Sequence, residues 1–284
     1  GGGMKRWAIS LVAALMLTPT ALGADQAAMR ITSDLSDTVG QGVTIDAATP
    51  QDPVVLTFWG NGQENGEFLY GQGVTVQTTT SDGYSAVTVG LGAGQRLEVG
   101  TYVATLGSLY PWDPTSPVLD ATVQGRSCES VRGVFTVTRA DYSPTSNLYA
   151  LAATFAVAEC NGEPSSLAGS INLTRDTIET MIDPSVRIRA GTATVTGKLF
   201  CSLPHEVETS VSVNQPVDPL QAYAQKYTGP ITCVPGGQVP WSVTMASSEG
   251  KALKPGEARV ATASFTNDFS LLDIRELIVR MTGR

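Results

Sequence analysis

"VQGRSCESVRGVFTVTRADYSPTSNLYALAATFAVAEC" runs from Val123 to Cys160, and its reading decides the fold. Two segments inside it, 131–139 and 149–157, alternate with a period of two, not the 3.6 of a helix. Val, Thr, Tyr and Phe give them the β-branched and aromatic bulk that suits a pleated, half-buried surface. A cysteine stands on each side of this pair of strand-like segments. Such a pair can be a covalent staple or part of a metal or catalytic site, and the rest of the chain must discriminate between these.

Outward from this stretch the same alternation recurs. "PVVLTFWG" (53–60), "VTVQTTT" (74–80), "YSAVTVGL" (84–91), "TYVATL" (101–106), "VLDATVQ" (118–124) and "SLAGSINL" (166–173) read as strands. Turn signals separate them: Gly60-Asn61-Gly62, Asn65-Gly66, Ser81-Asp82-Gly83 and Asn161-Gly162. A second set follows at "GTATVTGKLFCS" (191–202), "VETSVSVNQ" (207–215), "PWSVTMAS" (240–247), "EARVATASFT" (257–266) and "RELIVRM" (275–281). Short strands punctuated in this way predict an all-β protein of two antiparallel β-sandwiches, immunoglobulin-like or jelly-roll-like.

"TRDTIETMIDPSV" (174–186) interrupts the rhythm with acidic residues, a single turn of helical character and Pro184. The expected organisation is therefore a first sandwich over 40–176, a linker over 177–187 and a second, immunoglobulin-like domain over 188–284. Residues 25–39 are expected to be an N-terminal segment. "PVDPLQAYAQKYTGP" (216–230) carries three prolines and is expected to be a long loop.

The three glycines before Met4 are set aside as an expression or translation artefact. From Met4, the basic pair Lys5-Arg6, the apolar run 7–17 and the small residues Ala21-Leu22-Gly23-Ala24 have the order of a signal peptide cleaved after Gly23 or Ala24. The apolar run is too short for a hydrocarbon core that needs about 20 residues. Its removal leaves roughly 260 residues, enough for one large or two ordinary cores. Of 18 basic residues 16 remain, against 26 acidic ones, a net charge of −10. That balance disfavours nucleic acid, whose phosphates need neutralising cations.

Export bears on the cysteines. Cys128 and Cys160 are 32 positions apart, and so are Cys201 and Cys233. Four cysteines allow three pairings, and pairing within each strand set is the economical one in an oxidising compartment. Zinc would want close ligand pairs such as C-x-x-C, and none occurs.

The opening stretch also resembles a domain that recurs in bacterial secreted proteins. That domain has a Gly-x-Gly-Arg-x-Cys turn, a Gly-x-Phe-x-Val strand, Phe-x-x-x-x-Cys-x-Gly and a final Leu-x-Gly-x-Ile. The matching residues are Gly125-Arg126-Ser127-Cys128, Gly133 to Val137, Phe155 to Cys160 with Gly162, and Leu167-Ala168-Gly169-Ser170-Ile171. Upstream, "LEVGTYVATLGSLYPWDPTSPVLDATVQG" is similar to the same family's Pro-Gly-Thr-Tyr strand and proline-bearing loop, with Val99 where proline is usual. The resemblance spans residues 40 to 175 and implies an extracellular, disulfide-bonded β-sandwich with no established activity. The second half is similar to small all-β domains of actinobacterial secreted proteins, through Gly191 to Val195, Gly197, Cys201, Gln215, Cys233, Trp241 and Pro255-Gly256-Glu257-Ala258. In that reading Trp241 packs near a Cys201–Cys233 bridge.

Catalytic candidates are few. The single histidine, His205, would have to be the base of any triad, yet "SLPHEVE" reads as a turn with an exposed histidine, and no G-x-S-x-G elbow accompanies it. Glu64, Glu67, Asp82, Asp113 and Glu163 could pair as glycosidase acids only if the fold set two of them across a cleft. "GLGAGQ" (90–95) reads as a hairpin turn rather than a phosphate loop. "DLSD" (34–37) and "NGQENGE" (61–67) carry oxygen ligands without the EF-hand pattern. Trp59 and Trp241, in alternating strands, are expected in the core. "SLYPWDPTSP" (108–117) is most open to a binding reading, because Tyr110 and Trp112 stand among prolines there; the plainer expectation is that Trp112 folds over a sandwich edge. The sequence thus points to an exported, non-catalytic binding module for an extracellular glycan or protein, without cofactor, metal or membrane span. A carboxylate or metal hydrolase and an envelope spacer are the alternatives.

Overall fold

The computed structural model describes residues 25–59, 71–93, 95–104, 116–128, 130–217 and 220–283. Strands fill them, and no helix occurs among the described residues. The first twelve strands are β1 (Gln26–Thr32), β2 (Thr44–Ala48), β3 (Val54–Trp59), β4 (Gly71–Thr80), β5 (Gly83–Ala93), β6 (Gly100–Ala104), β7 (Val118–Val123), β8 (Arg126–Ser127), β9 (Val131–Tyr142), β10 (Leu148–Cys160), β11 (Glu163–Pro164) and β12 (Ala168–Thr174). They form an antiparallel sheet in the order β2-β1-β12-β10-β9-β6, with β11 on β10, and a second in the order β3-β4-β5-β7-β8. Alternate residues of both sheets bury into one cluster. Val76, Val87 and Leu119 come from the second sheet and meet Ile31, Phe135 and Ile171 from the first.

Ten further strands follow: β13 (Ile178–Ile182), β14 (Ser185–Arg189), β15 (Thr192–Cys201), β16 (Glu206–Val217), β17 (Leu220–Tyr227), β18 (Ile231–Thr232), β19 (Gln238–Ala246), β20 (Glu249–Gly250), β21 (Gly256–Thr266) and β22 (Leu272–Gly283). Their sheet runs β13-β15-β14-β22-β21-β16-β17-β20, with β19 on β15 and β18 on β16. β13 pairs with β15 at one end, while β14 pairs with the other end of β15 and also runs parallel to β22. A strand pair shared in this way wraps the sheet around a separate buried cluster that includes Val195, Val211, Trp241 and Val260. The packing is sandwich-like.

Differences from expectation lie where period-two alternation is weak. Residues 25–39, expected as a separate segment, supply β1, which sits between β2 and β12. Residues 177–187, expected as a linker with one helical turn, carry β13 and the start of β14. The 216–230 stretch, expected as a loop, contains β17, because its Pro216 and Pro230 flank rather than interrupt the strand. β5 continues through the glycines at 90 and 92 to Ala93, so residues 90–93 are strand rather than hairpin turn, and β6 pairs in the other sheet. The Asn161-Gly162 turn is as read: its residues have φ of 54° and 83°, the conformation that a two-residue hairpin turn demands.

Both bridges are present, Cys128–Cys160 and Cys201–Cys233. The first ties the end of β8 to the end of β10, and so joins the two sheets that share the first core. Trp241 lies in the same buried cluster as Cys201 and Cys233, as expected. Its ring covers Gly197, where an added Cβ would meet the indole at 2.4 Å and the Met181 carbonyl oxygen at 2.1 Å.

Within "DLSD", Asp37 is buried and serves as a loop staple, not an ion ligand. Its Oδ1 accepts the amides of Val39 (2.9 Å) and Gly40 (2.6 Å); its Oδ2 accepts Ser165 Oγ (2.6 Å) and the Ser166 amide (2.8 Å). Burial acts to raise its pKa, but these hydrogen bonds outweigh it and hold the group below its ordinary 3.8. The stabilisation is therefore complete at neutral pH and is lost as pH falls through that lowered pKa. Asp37→Ala strands buried donors and should cost roughly 2–4 kcal/mol in urea unfolding at neutral pH, with a smaller difference in acid. Equal stability at neutral pH would contradict this role.

Candidate interaction face

The C-terminal hairpin presents the site. On β22 the even-numbered residues Leu272, Ile274, Glu276 and Ile278 share one face by the period of the strand. Leu272, Ile274 and Ile278 are 63%, 66% and 69% exposed. Across the ladder they stand beside Phe265, Ala263 and Arg259 of β21. Arg259 Nε is 3.1 Å from Glu276 Oε1, and exposed Arg280, Arg187 and Glu257 stand beyond Ile278 at the Gly283 end of the stripe. Apolar residues at the centre with arginines and glutamates at the rim are the anatomy of a protein-docking surface.

The turn joining β21 to β22 adds Phe269, which is 72% exposed and stacks on Phe265 at a centroid distance of 4.9 Å. Phe269 has φ of 57°, a conformation costly for a bulky residue. Asp268 imposes it: its Oδ1 accepts Thr266 Oγ1 (2.6 Å), Ser270 Oγ (2.8 Å) and the Ser270 amide (3.1 Å), led by Thr266 in holding its pKa down to about 2. The left-handed residue closes the turn, where the Phe269 amide donates to the Thr266 carbonyl (2.9 Å), while its ring stays exposed.

Other groups behave differently. His205, expected on an exposed loop, is buried, and its Nε2 lies 2.6 Å from Asp176 Oδ1, which is also buried. The correction has a physical cause: the chain crossing from the first core to the second at 175–177 packs over the β15–β16 turn. There Thr177 N donates to Ser202 Oγ (2.8 Å) and Ser202 N to the Thr177 carbonyl (3.0 Å). Ser202, His205 and Asp176 are thus close in the fold, but the serine hydroxyl serves the Thr177 backbone and the imidazole is sealed from solvent, which suits a lock rather than a nucleophile.

A cleft of about 760 Å³ is lined by Asp25, Asp52, Arg139, Thr49 and Asn172, among others. Asp25 accepts the Asp176 amide (2.8 Å), Asp52 accepts the Ala48 amide (2.9 Å), and Arg139 is held by Asp141. On β7, burial pushes the Asp120 pKa up against the pull of the Ala121 amide, and its Oδ1 has no hydrogen-bond partner. Among the described residues no group of three or more His, Cys, Asp or Glu could hold a metal ion.

Of the residues singled out in the sequence, Asp82 lies exposed in a turn and Glu163 exposed on β11, and they are not brought together. Tyr110, Trp112, Glu64, Glu67 and Asp113 lie outside the described residues, as does the Trp59 side chain. Reading 275–281 as a strand does not by itself reveal the β22 stripe. Its signal is that both faces of 272–281 carry large aliphatic residues, although only one face of an outer strand can meet the core.

The fold and the bridges define a disulfide-bonded, all-β, sandwich-like protein. No protein-family model matches the sequence, and no curated protein matches it. Two disulfides are consistent with an extracellular protein, and no helix among the described residues is long and apolar enough to cross a membrane.

Proposed function

We propose that the chain is an exported, two-domain, non-catalytic binding protein that docks a protein partner on the β21–β22 face. The carrying observation is Phe269, exposed and in left-handed backbone at the head of an apolar stripe. A side chain kept in a costly conformation without contributing to the core is the pattern of a functional site. The arginine-rich rim favours a protein over a neutral glycan as ligand. The signal-peptide order of residues 4–24 and the resemblance to bacterial secreted β-domains supply the exported, bacterial setting. Among the described residues, the cleft that holds Asp25 and Asp52 has each carboxylate already engaged by a main-chain amide.

The test is a binding screen of the mature chain against extracellular proteins and glycans, repeated with Phe269→Gly and Ile278→Lys. Both side chains are exposed, so stability should change by no more than about 1 kcal/mol. Binding of a protein ligand should fall at least tenfold in each variant. Ligand binding that survives both substitutions would remove the face from the function.

A further inference from the structure

We infer that the outer face of β14 and the adjoining end of β22 form a second binding site, for an acidic polysaccharide bearing carboxylates or phosphates. The observation is where the unpaired arginines collect. Of the eleven arginines among the described residues, Arg132, Arg139, Arg259 and Arg275 are ion-paired with carboxylates, and three more engage a main-chain carbonyl or an aromatic ring. Four have no such partner among the described residues. One is Arg30, which stands opposite Asp46 on the β1–β2 ladder, and the other three, Arg187, Arg189 and Arg280, stand together.

Strand parity puts the three on one face. Val186 and Ile188 of β14 and Val279 and Met281 of β22 bury into the second core, so Arg187, Arg189 and Arg280 project to solvent. Arg187 and Arg189 are about 7 Å apart along their strand, and Arg280 stands on the next strand opposite Ser185. Beside the first two are hydroxyls: Thr194 and Thr192 on β15, and Thr282 on β22. Glu257 lies across the ladder from Arg280 without forming an ion pair with it. A recess of about 890 Å³ is lined by Arg187, Arg189, Thr282, Gly283 and Ile188. In a chain of net charge −8, such a local excess of cations draws oxyanions to one place, and the planar guanidinium fork fits carboxylate and phosphate oxygens in pairs. The neighbours select the class of ligand. Ile188 is buried in the core, and the side chains that flank Arg187 and Arg189 on the outer face are threonines, so a nucleic-acid base finds no ring to stack on and a protein finds no apolar anchor. Guanidinium groups among hydroxyls suit a charged, hydroxyl-rich chain. The site lies past the apolar stripe, which ends at Ile278, and does not depend on the docking face.

The test measures binding of the mature chain to immobilised polygalacturonate, phosphorylated dextran, neutral dextran and a single-stranded oligonucleotide at low ionic strength. The chain should bind at least one of the two acidic polysaccharides and not neutral dextran, and which of the two it binds distinguishes carboxylate from phosphate as the recognised group. Added salt should weaken the interaction. The double variant Arg187→Gln/Arg189→Gln, which changes only exposed side chains, should bind at least tenfold more weakly. Arg132→Gln/Arg139→Gln removes the same charge from paired arginines on β9 and should bind like the parent chain. Phe269→Gly should also leave this binding unchanged, which separates the site from the docking face. Failure to bind either acidic polysaccharide, an equal loss in the two arginine double variants, or tighter binding of the oligonucleotide than of both polysaccharides overturns the inference.

Discussion

Asp176→Ala should destabilise the protein by about 1–3 kcal/mol, because it leaves a buried imidazole nitrogen without its hydrogen-bond partner. The side chains of His205 and Asp176 are only 3% and 4% exposed, so water cannot replace the lost contact. Position magnifies the effect. Asp176 lies on the segment between β12 and β13, which also receives the Ser202 contacts, and the Cys233 amide donates to the His205 carbonyl at 2.8 Å. Loosening the pair therefore loosens the crossing between the two cores and the seat of the second bridge together. His205→Ala should cost a similar amount, and the double variant should cost clearly less than the sum, since removing both members strands neither. Additive losses in chemical denaturation, or a loss below about 1 kcal/mol for either single variant, would remove the lock from this account.

Removing the Cys201–Cys233 bridge with Cys201→Ala and Cys233→Ala should lower stability by roughly 3–4 kcal/mol on the chain-entropy estimate. Removing Cys128–Cys160 should cost about the same on that estimate, because both pairs have a sequence separation of 32. Any inequality then measures native context. Cys201 and Cys233 sit in the cluster that holds Trp241, so their loss also opens space beside a large ring. The second bridge is accordingly expected to be the costlier of the two. Peptide mapping under non-reducing conditions should recover only these pairings, and a stability loss under 1 kcal/mol for either double variant would contradict the estimate.

Much of the fold was legible because alternation is local. A strand such as β16 writes its own burial pattern, with Val207, Val211 and Val213 buried and intervening residues partly exposed. β1, β13, β14 and β17 were not legible. β1, β13 and β17 carry alanines or an acid, the short β14 follows Pro184 directly, and pairing with other strands makes them extended; β1, for example, is fixed by β12, well over a hundred residues away. His205 shows the same limit at the level of a site. Its flanks read as an exposed turn, and nothing near it in sequence announces that Asp176 will cover it.

The sequence by itself determined the all-β class, the turn chemistry at Asn161-Gly162 and the economical pairing of its four cysteines, because each depends on neighbours or on a spacing along the chain. Only the tertiary structure decided which strands share an edge, which carboxylate meets the histidine and which apolar residues remain uncovered. Those outcomes depend on what distant segments bring to the same place. The alternation of β22 is visible in its residues, but which face goes uncovered is set by the fold, which buries Val279 and Met281 and leaves Ile274 and Ile278 exposed.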